Sequence, residues 1–96
     1  MLINDLLVAF HYAMLTHIKP NFRLLCIDWS GNDWIKLRAY SDSPVNDEDY
    51  EMLACIYTDL DQDIIFKEYY KEVEYATAPL HELDSLKLIL YARHEE

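Results

Sequence analysis

Glycine is nearly missing: Gly31 is the only one in 96 residues. A phosphate-cradling loop needs several glycines, so that kind of nucleotide site is excluded. Positive charge is scarce as well. Eight Lys and Arg stand against 18 Asp and Glu, a formal net charge of −10. That balance repels phosphates and opposes direct binding to nucleic acid or to an anionic membrane surface. No apolar run approaches the roughly 20 residues of a membrane span. Leu2 to Leu15 is the most apolar stretch, but Asp5 and two aromatics interrupt it. It has neither a basic leader nor a small-residue cleavage site, so it does not read as a secretory signal. Cysteine occurs twice, as Cys26 and Cys55, and not as a Cys-x-x-Cys pair. Two reduced thiols of a cytoplasmic protein are the simplest reading, with a single disulfide as the alternative.

What is present is the composition of a folded chain, 52% hydrophobic and 27% charged. The length fits one acidic domain over residues 1–96. Ile3, Leu6, Leu7, Phe10 and Met14 recur every three or four residues and predict a helix that Pro20 ends. Phe22–Trp29 and Trp34–Tyr40 flank Ser30-Gly31-Asn32-Asp33, which predicts a β-hairpin. On its second strand Ile35, Leu37 and Ala39 alternate with Lys36, Arg38 and Tyr40, so one face is dry and the other wet. Asn46 is a good N-cap for a second helix, with Asp47, Glu48 and Asp49 complementing the helix dipole. Tyr50, Leu53, Ile56, Tyr57 and Leu60 form the expected buried stripe of that helix. Glu48, Glu51, Cys55, Thr58 and Asp59 face away. Ile64–Tyr75 reads as a long strand by alternation, although Lys-Glu-Tyr-Tyr-Lys-Glu also suits a helix. Pro79–Ser85 is a turn, and Leu86–Arg93 a last strand with Leu86, Leu88, Leu90 and Ala92 inward. The order αββαββ predicts an α+β two-layer sandwich, an antiparallel sheet with helices on one face.

Acid is concentrated in the middle of the chain. Between residues 42 and 63 there are Asp42, Asp47, Glu48, Asp49, Glu51, Asp59, Asp61 and Asp63, and no Lys or Arg. Self-repulsion along such a segment costs stability, which points to a cationic partner. The alternative is an ordinary solvated helix that keeps the chain soluble.

Catalytic and metal signatures are weak. Asp59, Asp61 and Asp63 imitate the start of a calcium loop. Ile64 stands where glycine is needed, and Tyr70 where the bidentate Glu belongs. His11, His17, His81 and His94 form no zinc spacing, so no metal or cofactor is expected. His81 with Glu82 or Asp84 is a conceivable acid–base pair, but no nucleophile accompanies it. A non-enzymatic role is expected.

Aromatic content is high, with eight Tyr and two Trp. Most must build the core. Alternation sets Trp34 beside Lys36 and Arg38, and Tyr70 among Glu68, Glu72 and Glu74, on wet faces. Exposed aromatics beside charge serve as interface anchors, or equally as cross-strand packing on a solvated sheet.

A short N-terminal helix is followed by a hairpin carrying Asp28-Trp29 and Trp34-Ile35-Lys36-Leu37-Arg38. The acidic helix ends Tyr57-Thr58-Asp59-Leu60, and the chain closes Pro79-Leu80 and then Leu90-Tyr91-Ala92-Arg93-His94-Glu95. In these features the chain resembles the small immunity proteins of bacterial toxin–immunity pairs, including contact-dependent growth inhibition and colicin systems. The resemblance implies a cytoplasmic inhibitor of one cognate protein toxin, often a basic nuclease, blocked sterically and electrostatically. It carries over no catalytic residue. The expected contact comprises Asp47, Glu48, Glu51, Asp59, Asp61 and Asp63, with Trp34 and Tyr70 as anchors. The alternative is a regulatory or scaffold module that binds another protein or self-associates, for instance as a homodimer paired through open outer strands.

Overall fold

The computed structural model describes residues 3–14, 18–60 and 65–95. Helix α1 (Ile3–Met14) leads into strand β1 (Phe22–Ser30), and a tight turn joins β1 to β2 (Trp34–Ser41). Helix α2 (Asp47–Thr58), β3 (Glu68–Tyr75), a single 3-10 turn at Leu80–Glu82 and β4 (Leu88–Ala92) complete the described elements. The turn is the one the sequence specifies. Gly31 takes the left-handed φ of +51° there, where a side chain would be strained.

The sheet runs β3-β2-β1-β4. β1 lies antiparallel to both β2 and β4, as expected. β2 and β3 are parallel, so the sheet is mixed and not purely antiparallel. The reason is the connection: α2 carries the chain back across the sheet, so β3 starts at the same end as β2. β3 begins at Glu68 and not at Ile64, which lies outside the described residues.

β1 is central and buried on both faces from Phe22 to Ile27, which explains its nearly unbroken apolar run. On the helical face Phe22, Leu25, Ile27, Ile35, Leu37, Ala39, Val73 and Leu90 meet Leu6, Phe10, Met14, Leu53 and Ile56. A second, smaller cluster sits on the other face, where Leu24, Cys26 and Tyr40 are covered by Leu80, Leu83 and Leu86. This cover buries Tyr40, which alternation had assigned to the wet face. The register shift between Leu25 and Cys26 breaks the alternation expected of β4. Leu88 and Leu90 pack on the helical side, whereas Leu86 joins the second cluster from a positive φ of 54° and Ala92 is exposed.

The buried stripe of α2 is displaced from the expected one at its start. Asp49 is 0% exposed, while Tyr50 is on the surface. Leu53, Ile56 and Leu60 are buried and Tyr57 half-buried, as the periodicity requires.

Candidate functional site

The acidic side of α2 is built locally. The Asn46 side chain accepts the Asp49 N–H at 3.2 Å and the Asp49 carboxylate accepts the Asn46 N–H at 3.1 Å, a reciprocal cap. From that start Asp47, Glu51, Cys55 and Asp59 follow at four-residue steps and are all exposed, with Glu48 and Thr58 beside them. Side chains so spaced share one face. The face is turned away from the core, because Leu53 and Ile56 hold the opposite one. Asp61 and Asp63 lie outside the described residues.

The acidic run is less isolated than the sequence implies. Lys19 reaches Asp49 at 2.8 Å and Glu48 at 3.5 Å. Arg93 reaches Asp42 at 2.8 Å. Cations distant in the chain therefore relieve three of the acids. Asp47 and Glu51 make no ion pair among the described residues.

Trp34 and Tyr70 lie on the other side of the sheet. Ile35 and Leu37 point to the helices, so Trp34 and Lys36 point away. With Tyr70, Lys71 and Glu72 they line an open groove of about 380 Å³. The described residues of the one contact expected from the sequence thus fall on two surfaces, an acidic helix face and an aromatic sheet face, separated by the thickness of β2 and β3. Both border β3, whose Tyr70 carbonyl accepts the Tyr57 hydroxyl of α2 at 2.6 Å.

The sheet face is organised around Arg38. Its Nε donates to Glu72 Oε2 at 2.7 Å, Nη2 lies 2.7 Å from the same oxygen as an ion pair, and Nη1 donates to the Tyr40 hydroxyl at 3.3 Å. The Tyr40 hydroxyl in turn donates to the Asp84 carbonyl at 2.8 Å. Burial works against ionisation of Glu72, but the hydrogen bonds and charges of Arg38 and Lys36 together outweigh it and hold the carboxyl below its ordinary value. At the chain's closing segment Arg23 grips Glu95 through two bonds of 2.8 Å. The Arg23 bond is the main cause that lowers the Glu95 carboxyl to about 2. Neither hub is readable locally, since the partners are far apart in the chain.

The remaining candidates carry little. His81 is exposed in the 3-10 turn and makes no hydrogen bond to Glu82 or Asp84 among the described residues. Asp84 instead caps the Leu86 N–H at 2.9 Å and pairs with Arg38 at 3.4 Å. Both cysteines are free thiols, Cys26 buried and Cys55 exposed, which removes the disulfide alternative. Among the described residues no group of three His, Cys, Asp or Glu is placed to hold a metal ion. No helix there is long and apolar enough to cross a membrane.

The chain matches the model of the MafI2 immunity protein family over residues 3–95. No curated protein matches it.

Proposed function

The chain belongs to the MafI2 immunity protein family, and on that premise we propose how it disarms its toxin. An immunity protein neutralises a cognate toxin and is not an enzyme. In our reading the toxin is a basic nuclease domain, met in the cytoplasm through the acidic face of α2. A nuclease must hold phosphates, so its cleft carries Lys and Arg, and a protein surface rich in carboxylates competes for the same groups. The free thiols of Cys26 and Cys55 are in keeping with a reducing compartment.

The observation that carries the reading is the exposed row Asp47, Glu51 and Asp59 with Glu48 alongside, on a helix whose other face is core. Long-range attraction from this row raises the association rate toward about 10⁸ M⁻¹s⁻¹ at low salt. Asp61 and Asp63 follow directly in sequence and are assigned to the same contact. Trp34 and Tyr70 are assigned as anchors on the sheet face.

The test is charge reversal at Glu48, Glu51 and Asp59 together. The triple Lys variant keeps its circular dichroism spectrum and associates with the toxin at least about tenfold more slowly at low salt. An unchanged association rate removes α2 from the contact.

A further inference from the structure

The outer edge of β3 has the properties of a strand acceptor. β3 is one border of the sheet, eight residues long. Its register with β2 runs unbroken from Trp34 opposite Glu68 to Ser41 opposite Tyr75. The other border, β4, has five residues and joins β1 through a register shift.

The direction of its backbone groups follows from the two ends. The Glu68 N–H donates to the Asp33 carbonyl at 3.1 Å, and the Ala76 N–H to the Ser41 carbonyl at 3.0 Å. Successive residues of a strand turn their N–H and C=O to opposite sides. The even-numbered residues between these ends therefore face β2. Tyr69, Lys71, Val73 and Tyr75 turn theirs outward, and among the described residues no strand pairs with them. A border of this length normally carries a proline or a bulge as protection. β3 has neither, and among the described residues its charges are what guards it.

Those charges select the occupant. Glu68, Glu72 and Glu74 stand against Lys71 alone within the strand. Glu72 is neutralised by Arg38 and Lys36 at 2.7 and 3.4 Å. Glu74 makes no ion pair among the described residues, and Glu68 only accepts the Tyr70 hydroxyl. The acidic face of α2 lies on the helical side of the same strand. A second copy of the chain would set carboxylates against carboxylates along this border, which disfavours self-pairing.

We propose that an extended segment of the cognate toxin, bearing Lys or Arg at alternate positions, adds to the outer edge of β3 as a further strand. Main-chain hydrogen bonds supply retention, and Glu68 and Glu74 select the cationic side chains. The inference rests on the toxin-binding reading above and gives it a specific docking geometry.

The probe is the purified cognate toxin domain, to be sought in the reading frames that neighbour the gene for this chain. In the saturated complex, hydrogen exchange slows at the amides of Tyr69, Lys71, Val73 and Tyr75. Lys71→Pro removes one outward N–H without touching the bonds to β2, and weakens binding at least about tenfold. Lys71→Ala binds within about threefold of wild type, which separates backbone from side chain. Should Lys71→Pro fail to fold, the exchange measurement on the wild-type chain decides alone. Unchanged exchange at all four amides in a complex that still neutralises the toxin overturns the strand addition and leaves the immunity reading intact. If the wild-type chain neither binds nor neutralises that toxin, the reading beneath it falls as well.

Discussion

The Lys19 ammonium lies 2.8 Å from Asp49 Oδ1 and ties the link between α1 and β1 to the first turn of α2. Asn21 donates to the same oxygen at 3.2 Å, while Oδ2 accepts the Asn46 N–H. The carboxylate is 0% exposed. Burial works against its charge, yet the hydrogen bonds from Lys19, Asn46 and Asn21 outweigh that and hold its pKa below the ordinary value. The carboxylate that completes the cap of the acidic helix thus also fixes its first turn to the link ahead of β1.

Replacing Asp49 with Ala removes the side-chain half of the reciprocal cap, leaves Lys19 only the longer Glu48 contact at 3.5 Å, and takes one of two acceptors from Asn21. A loss of about 3 kcal/mol in unfolding free energy follows, measured by urea denaturation. Lys19→Ala is costly by itself because it leaves the buried carboxylate unpaired. The double variant loses less than the sum of the two, since neither charge then lacks a partner.

Acid weakens the fold through Glu95. Its carboxyl titrates at about 2 when held by Arg23 and Arg93, against 4.5 when free. A lowered folded value means the stabilisation is complete above about pH 4.5 and is lost as the pH falls toward 2. Asp49 and Glu72 shift in the same direction and add to the trend. Glu95→Gln is therefore less stable than wild type at pH 7, and the two converge near pH 2. Urea midpoints across this range report the difference.

These contacts mark the limit of what the sequence reveals. The cap at Asn46 and the four-residue steps from Asp47 to Asp59 are local, so α2 and its exposed acids were legible. The burial of Asp49 was not, because the lysine that accounts for it comes from 30 positions away. The same holds for Asp42, relieved by Arg93 from 51 positions away. Alternation on β3 is identical for parallel and antiparallel pairing, so the pattern gave no warning that the antiparallel arrangement expected for this strand would be parallel. The same alternation set Trp34 and Tyr70 on the wet face, away from the helices, where the structure has them.

The two thiols are expected to differ in reactivity, because Cys26 is buried and Cys55 exposed. Burial pushes the Cys26 thiol up to about 12, whereas Cys55 stands on the acidic face of α2. Ellman's reagent therefore titrates one thiol in the native chain and two in denaturant. A bulky maleimide on Cys55 leaves the fold intact and blocks toxin binding, because it stands between Glu51 and Asp59. Undiminished binding of the labelled chain removes that face from the contact.

The acidic helix and the aromatic groove are expected to act on different rates. Carboxylates act at a distance and govern encounter, so their reversal lowers the association rate and flattens its dependence on salt. Trp34 acts only on contact. A strand added beside β3 would pass next to Tyr70, with Trp34 one strand further in, so the groove they share with Lys36 would lie under side chains of that strand. Trp34→Ala then raises the dissociation rate by about tenfold or more and leaves the association rate within about twofold of wild type. Trp34 is half-buried but outside both core clusters, so the variant keeps its thermal midpoint within a few degrees. Stopped-flow association and competition dissociation separate the two constants. A change confined to the association rate would place Trp34 outside the bound surface.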